Sequence, residues 1–146
     1  MTKWYNNYVG FPYKHLGEDT VEGIDCFNLC KYILRQECSI NVVYSTSHFC
    51  NIVDDDWYQK TTEQLFEKSV NISEKGFGWL KVRQPKPFDI LTMSIGSTNI
   101  TNHCAMYVGD NKIIQVTIAR PSYITIYGNY YKQYTTGIYR WNPSNN

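Results

Sequence analysis

The stretch Gly23-Ile24-Asp25-Cys26-Phe27-Asn28-Leu29-Cys30 combines the start of a helix with a cysteine. Asp25 is a residue type that often caps helix N-termini, and apolar residues follow at positions 29, 30, 33 and 34 with helical spacing. The pattern predicts a helix over residues 26–37 with Cys26 in its first turn. Free backbone N–H groups and the positive end of the helix dipole favour an anion there, which makes this thiol a candidate nucleophile. A small buried core residue is an equally supported interpretation of Cys26.

The chain on either side of this stretch divides into a helical and a β part. Residues 10–17 are rich in turn formers, residues 61–68 read as a second helix, and residues 40–44 are ambiguous between strand and loop. After Pro85 the pattern predicts five strands separated by Gly, Asn, Asp and Pro, at residues 88–93, 103–108, 112–118, 123–127 and 137–141. This order predicts an α+β fold with N-terminal helices packed on a mostly antiparallel sheet of about five strands. We interpret residues 1–146 as a single domain with an insert at 40–80 and a polar tail at 142–146.

Composition narrows the function classes. The net charge of the 146-residue chain is +1 and only 18% of its residues are charged, so a nucleic-acid-binding surface is not expected. Thirteen Tyr and four Trp suit a half-exposed sheet and also grooves that bind saccharides or peptides. No apolar run approaches the ~20 residues of a membrane-spanning helix, so membrane insertion is not expected either.

The cysteines indicate where the protein folds. There are five, an odd number without a CxxC pair, at positions 26, 30, 38, 50 and 104. A secreted disulfide framework normally uses an even set, so we expect reduced thiols and folding in a cytoplasm. Residues 1–7 have no apolar segment of the kind found in signal peptides, so we expect no export by that route.

Three residues in chain order could form a nucleophilic site: Cys26, His103 and Gln115. A cysteine nucleophile needs a base, and the base needs a polar group that fixes its tautomer. If a three-residue loop ending at Asn111 joins the two central strands, position 103 pairs with 117, and His103 and Gln115 share a face of the sheet. A two-residue loop would place them on opposite faces. Asn111 tolerates the left-handed conformation that the longer loop requires, which favours the shared face.

The strings GIDCFNLCKYIL, KPFDILTM and NHCAMYVGDNKIIQV together resemble the NlpC/P60 family of papain-like cysteine peptidases. The resemblance covers roughly residues 8–120. It implies that Cys26 is the nucleophile, His103 the general base and Gln115 the third polar residue, a position at which the family uses His, Asn or Gln. Tyr13, in the lead-in GFPYKHLG, matches a family tyrosine whose hydroxyl lies near the active site.

The match departs from the commonest family motif, Asp-Cys-Ser-Gly, which here reads Asp25-Cys26-Phe27-Asn28. It is closer to the Asp-Cys-Trp-Gly variant of phage tail proteins, although Asn28 replaces the Gly, and the insert at 40–80 also resembles that branch. The resemblance implies a cysteine endopeptidase that cleaves peptidoglycan stem peptides, typically at a γ-D-glutamyl to diamino acid bond. The expected location is the virion, as a tail component made in the host cytoplasm and bound to other tail proteins.

Three residues are candidates for substrate binding: Tyr13, Asp25, which adjoins the nucleophile, and Arg120, which could bind a carboxylate. An exposed arginine without a ligand is the plainer interpretation of Arg120. No cofactor or metal is expected. A zinc site formed by cysteines 26, 30 and 104 with His103 lacks the usual ligand spacing. Cys104 is expected to point to the sheet face opposite His103, and His15 to lie on the surface.

Two other function classes remain open at the level of sequence. The chain could be a non-catalytic tail or assembly component that keeps the fold as a plug or binding module. It could also be a related amidase or acyltransferase, because these enzymes share the acyl-enzyme step. Whether Cys26, His103 and Gln115 come together distinguishes an enzyme from the non-catalytic alternative.

Overall fold

The computed structural model describes residues 3–42, 79–96 and 101–141, and these residues form a helix packed on an antiparallel sheet. The strands of this sheet are β3 (Trp79–Lys81), β4 (Ile90–Met93), β5 (His103–Gly109), β6 (Lys112–Thr117), β7 (Arg120–Ile126) and β8 (Thr135–Trp141). Their order is β3-β8-β4-β5-β6-β7, and each neighbouring pair is antiparallel. The remaining elements are a 3-10 helix (Trp4–Tyr8), a two-stranded ribbon of β1 (Glu18–Asp19) and β2 (Gly23–Ile24), and the helices α1 (Cys26–Cys38) and α2 (Asn129–Tyr134).

Helix α1 begins and ends as its residue types require. The Asp25 side chain caps the N-terminus, with Oδ1 accepting a hydrogen bond from the backbone N–H of Asn28 at 2.8 Å. At the other end Ser39 takes a left-handed conformation, with φ of 56°, and the N–H of Ile40 donates to the carbonyl of Leu34 at 3.1 Å. Cys26 is therefore the first residue of a capped helix, as the sequence predicts.

Alternating side chains of the central strands build a core on each face of the sheet. Cys104, Met106 and Val108 of β5 pack in one cluster with the buried face of α1. Ala105 and Ile113 belong to a second cluster on the opposite face. Both faces of β5 and β6 are thus covered, which explains why every residue of these strands is buried or half-buried.

The β5–β6 hairpin contains a shorter turn than the sequence predicts. Gly109 pairs with Lys112, so the loop has two residues, Asp110 and Asn111, both with positive φ (54° and 58°). A register shift follows, and the next pair is Tyr107 with Ile113. This bulge inserts the extra residue that the predicted three-residue loop would have supplied. The predicted loop was wrong, but the predicted register along the strands was right.

The lead-in segment, residues 10–17, is hydrogen-bonded to the residues that precede α1. Tyr13 bridges in parallel to Ile24, and the Ile24 N–H donates to the carbonyl of Pro12 at 2.9 Å. Gly17 has no space for a side chain, because a Cβ there would lie 2.3 Å from the carbonyl oxygen of Gly23. This close approach of two backbone segments sets Tyr13 beside the residues that precede Cys26.

The α+β class and the antiparallel sheet predicted from the sequence are confirmed, with several local differences. The edge strand β3 was missed, because the predicted strands begin only after Pro85. Helix α2 and the β1–β2 ribbon were also missed, since elements this short carry little periodicity. Residues 40–42 are not in a strand. The predicted helix at 61–68 and the tail at 142–146 lie outside the described residues. In the described part of the chain, no helix has the length and apolarity needed to cross a membrane.

Candidate active site

Cys26 opens onto a cavity of about 430 Å³ beside the ends of the central strands. His103 and Gln115 line the same cavity, so the structure brings together the three residues predicted as a catalytic set. Tyrosine and aliphatic side chains form much of the remaining wall: Tyr13, Tyr123, Tyr130, Tyr131, Ile95, Val116, Ile118 and Ala119. Cys26 itself is only 4% exposed, so a substrate reaches the thiol only by entering this cavity.

The electrostatics of Cys26 and His103 favour a thiolate and an imidazolium. Hydrogen bonds from Cys104 and from His103, together with the charge of the His103 ring, hold the pKa of the Cys26 thiol well below its usual range despite burial. Burial alone would lower the pKa of His103, but the hydrogen bond and charge of Cys26, and the hydrogen bond to Gln115, raise it above its ordinary value. The two shifts have opposite directions, so they widen the pH range in which the ion pair exists.

Gln115 holds the His103 ring from the side away from the thiol. His103 Nε2 lies 2.7 Å from Gln115 Oε1. An amide oxygen only accepts hydrogen bonds, so Nε2 carries the hydrogen and donates. The other ring nitrogen, Nδ1, is then the one available to Cys26. The shared face predicted from the hairpin register is confirmed by this contact.

Cys104 is a contact of the nucleophile that the sequence did not indicate. Its side chain packs in the core cluster that contains Cys26 and Cys30, and hydrogen bonding from its thiol and its backbone N–H lowers the pKa of Cys26. Burial and the neighbouring sulfurs raise the pKa of Cys104 well above its usual range, so this thiol keeps its proton and can donate. Cys104 therefore stabilises the Cys26 thiolate.

Replacing Cys104 by alanine is expected to raise the pKa of Cys26, because the thiolate loses a hydrogen-bond donor while burial is unchanged. A hydrogen bond to a charged acceptor from a weak donor such as S–H is worth ~1 kcal/mol, so alkylation of Cys26 at mildly acidic pH should slow by about fivefold. The rate is measured with iodoacetamide as a function of pH, with the modified peptide identified by mass spectrometry.

Two control variants separate this effect from packing. Cys104→Ser keeps a donor of nearly the same size and should retain the fast reaction at low pH. Cys38→Ala removes a half-buried thiol at the far end of α1 and should leave the profile unchanged. Superimposable profiles for wild-type protein and Cys104→Ala would show that this contact does not stabilise the thiolate.

The three predicted substrate-binding residues have different positions. Tyr13 lines the cavity with Cys26. Asp25 is buried and serves as the N-cap of α1. Arg120 is exposed and lies outside the lining, with its guanidinium 4.0 Å from the centre of the Tyr123 ring. A contact of any of the three with substrate stays a prediction, and only Tyr13 lies on the cavity wall.

Several further expectations concern residues around Cys26. Asn28, which replaces the Gly of the commonest motif, is buried and donates through Nδ2 to the Gly17 carbonyl at 2.9 Å, so it ties α1 to the lead-in. His15 is buried rather than on the surface, because the lead-in folds against the β1–β2 ribbon. Among the described residues, no group of three or more His, Cys, Asp or Glu side chains is arranged to hold a metal ion, so they do not form the zinc site considered from the sequence.

Sequence reasoning missed Cys104, Tyr123 and Tyr131, all of which contact the predicted catalytic set. Strand alternation predicts that Cys104 and His103 point to opposite faces of the sheet, and Cys104 packs in the core while His103 lines the cavity. Both residues nevertheless affect Cys26, because they lie at the end of β5. Tyr123 could have been found, because it pairs with Gln115 across β6 and β7. Tyr131 lies on α2, a helix too short for a clear periodic signal.

Comparisons with known proteins show which family and which solved structures this chain resembles. A family model described as the NlpC/P60 family matches residues 10–140. A solved NlpC/P60 family protein from Bacillus cereus superposes with a TM-score of 0.60 and 18% identity, over 94% of this chain and 38% of that one. NlpC2 from Trichomonas vaginalis superposes with a TM-score of 0.60 and 17% identity, over 93% of this chain and 44% of that one. The NlpC/p60 domain of the peptidoglycan hydrolase SagA superposes with a TM-score of 0.52 and 18% identity, over 91% of this chain and 89% of that one.

These likenesses concern the fold, and this chain spans less than half of the Bacillus and Trichomonas proteins. No curated protein sequence matches it. The family match extends over nearly the whole described structure, from the lead-in through Cys26 and His103 to the last strand. On this match, the chain belongs to the NlpC/P60 family.

Proposed function

We propose that this protein is a cysteine endopeptidase that hydrolyses the stem peptides of peptidoglycan. The observation that carries the proposal is that Cys26, His103 and Gln115 line one cavity, with the His103 ring 2.7 Å from the Gln115 amide oxygen and lowering the pKa of the Cys26 thiol. A protein that kept this fold only as a plug or binding module would not need a reactive thiol, its base and an orienting amide side by side. The assembled series therefore favours an enzyme over the non-catalytic alternative.

In the first half of the proposed reaction, the Cys26 thiolate attacks the carbonyl carbon of the scissile amide and forms a C–S bond. The carbonyl oxygen takes the negative charge, and the backbone N–H of Cys26, the first residue of α1, would stabilise it by donating a hydrogen bond. His103 then gives its Nδ1 proton to the leaving nitrogen, the C–N bond breaks, and an amine departs. The product on the enzyme is a thioester.

In the second half, a water molecule attacks the thioester carbonyl while the now neutral Nδ1 of His103 accepts a proton from it. The C–S bond breaks, the carboxylic acid product leaves, and the thiolate–imidazolium pair is restored. Gln115 accepts from Nε2 throughout, so the ring keeps one orientation whether Nδ1 is protonated or neutral. The buried amide thus serves both halves of the reaction without adding charge.

The proposed bond is the one between a γ-D-glutamyl carbonyl and the diamino acid of the stem peptide. The family resemblance of the motifs around Cys26 and His103 supports this bond. The likeness to a domain whose parent protein is named a peptidoglycan hydrolase supports only the coarser choice of peptidoglycan as substrate. Tyr13 on the cavity wall and Arg120 near its edge are the proposed substrate-binding side chains. Arg120 would meet a carboxylate of the stem peptide from its place on the Tyr123 ring.

The proposed function is tested by digesting purified peptidoglycan and identifying the released muropeptides by mass spectrometry. We expect fragments cut within the stem peptide, ending at the D-glutamyl residue. Release of whole stem peptides from the sugar would indicate an amidase instead. Transfer of the acyl group to an added amine in preference to water would indicate an acyltransferase. Intact peptidoglycan of every chemotype tested would overturn the proposal.

We also propose that the enzyme acts from a phage tail during entry into the host cell. The variant motif at Cys26 resembles that of the phage tail branch, and the described cysteines at 26, 30, 38 and 104 are free thiols, as expected of a protein that folds in a reducing cytoplasm. The other tail proteins are the proposed partners. Mass spectrometry of purified particles should detect the chain. Its absence from virions, with free protein in the lysate, would contradict the tail assignment.

A further inference from the structure

The amide of Gln115 makes three hydrogen bonds although its side chain is only 2% exposed. Oε1 faces His103 Nε2 at 2.7 Å. On the other side, Nε2 of Gln115 donates to the hydroxyl of Tyr123 at 2.7 Å and to that of Tyr131 at 3.0 Å. Both amide hydrogens are therefore used, and the carbonyl oxygen is left for the catalytic histidine.

The two tyrosines come from separate elements that meet behind Gln115. Tyr123 lies on β7 directly opposite Gln115 of β6, and Tyr131 lies on α2, which precedes β8. Burial, followed by the neighbouring Tyr123 hydroxyl, raises the pKa of Tyr131. The Tyr131 hydroxyl therefore stays neutral at physiological pH, and its position is set by helix α2.

This pair of hydroxyls decides which way the amide points. In the observed orientation the two hydroxyl oxygens accept both hydrogens of the Gln115 amide. A flipped Gln115 would turn its NH₂ group toward His103, and an imidazole nitrogen can accept at most one of the two hydrogens. The other hydrogen would be buried without an acceptor, which is unfavourable. The orientation with Oε1 toward His103 gives both amide hydrogens an acceptor and is favoured.

We propose that Tyr123 and Tyr131 are positioning residues for the reaction: their hydroxyls orient the Gln115 amide so that it accepts from Nε2 of His103 and keeps Nδ1 directed to Cys26. The assignment deepens the proposed hydrolase function and rests on it. It extends the catalytic set from three residues to five, with the two outer members acting only through Gln115 and His103. It also gives Arg120 an indirect place in the site, since its guanidinium packs on the Tyr123 ring.

The test uses Tyr123→Phe, Tyr131→Phe and the double variant in the full chain. The first readout is the alkylation rate of Cys26 by iodoacetamide as a function of pH, which requires no peptidoglycan. Loss of one hydroxyl loosens the amide, weakens its bond to the imidazolium and makes the ion pair less stable. We expect each single variant to react about three- to tenfold more slowly at mildly acidic pH, with the inflection displaced to higher pH.

The double variant should approach the behaviour of Gln115→Ala. Combining Tyr123→Phe or Tyr131→Phe with Gln115→Ala should slow alkylation little beyond Gln115→Ala alone, because the hydroxyls act through the amide. On a soluble stem-peptide substrate, kcat should fall while KM changes less, which a role confined to substrate binding would not produce. Tyr127→Phe is the matched control, because it removes a buried hydroxyl that bonds to Thr135 at 2.7 Å, outside the Gln115 network.

The outcomes separate this assignment from the proposed function. Tyr123→Phe and Tyr131→Phe variants that match Tyr127→Phe in alkylation profile and kcat would overturn it, and so would a rise in KM alone. A wild-type protein that shows the expected Cys26 profile, sensitive to both tyrosines, but leaves peptidoglycan intact would support the positioning roles and contradict the proposed substrate. Thermal unfolding of all variants shows whether any loss reflects the fold instead.

Discussion

Replacing Cys26 by alanine is expected to abolish hydrolysis while leaving the fold intact. The substitution removes the atom that forms the C–S bond, and in enzymes of the triad type the loss of the nucleophile reduces kcat by more than about 10⁴-fold. The sulfur is a small part of the core, so the free energy of unfolding should fall by only ~1 kcal/mol. The assays are muropeptide release for activity and thermal unfolding, followed by circular dichroism, for the fold.

Cys38→Ala is the control for this experiment. It removes another cysteine from the same helix, at the opposite end from the cavity, and should retain wild-type activity. Substantial hydrolysis by Cys26→Ala would mean that a different group attacks the peptide bond, and the proposed mechanism would be wrong. Equal loss in both variants would point to damage to α1 instead.

Replacing His103 by alanine is expected to have the second largest effect, and a larger one than replacing Gln115. Without the ring, the Cys26 thiolate loses both a hydrogen bond and a positive charge, and the leaving amine loses its proton donor. General acid–base groups contribute about 10²–10⁴-fold to a rate, so we expect a loss in the upper half of that range. Gln115→Ala should cost about 10–100-fold, because an orienting group can be replaced in part by water.

The pH dependence of Cys26 alkylation distinguishes the two variants further. The His103 charge lowers the pKa of the thiol, so in His103→Ala the thiolate should form only at higher pH than in the wild type. Gln115→Ala keeps the ring and should show a smaller displacement in the same direction, because the amide only helps to raise the pKa of His103. A Gln115 variant as impaired as the His103 variant would contradict the role of an orienting residue.

The central strands show how far strand periodicity can predict a site. The alternation of side chains put His103 and Gln115 on one face once a register was chosen, and the 2.7 Å contact confirms that placement. The turn itself was predicted with one residue too many, because the sequence does not distinguish a three-residue loop from a two-residue turn followed by a bulge. Both solutions add one residue to the same strand, so the register is the same.

The roles of Asp25 and Asn28 show a different limit. From the sequence, Asp25 was a possible helix cap and also a candidate for substrate binding, and the structure gives it the cap. The replacement of Gly by Asn28 could only be noted as a departure from the motif. Its amide contact with Gly17 depends on the lead-in returning to the helix, a contact between segments 11 residues apart that no local pattern encodes.

The sequence by itself determined the elements that local chemistry controls: a capped helix that begins at Cys26, antiparallel strands with their inward and outward alternation, and the order nucleophile, base and orienting amide. These follow from capping, periodicity and turn residues over spans of a few residues. Only the tertiary structure decided which side chains touch that set. The contact of Cys104 with Cys26 and those of Tyr123 and Tyr131 with Gln115 form where elements distant in sequence pack together, and their distances depend on how the whole sheet and its helices fit.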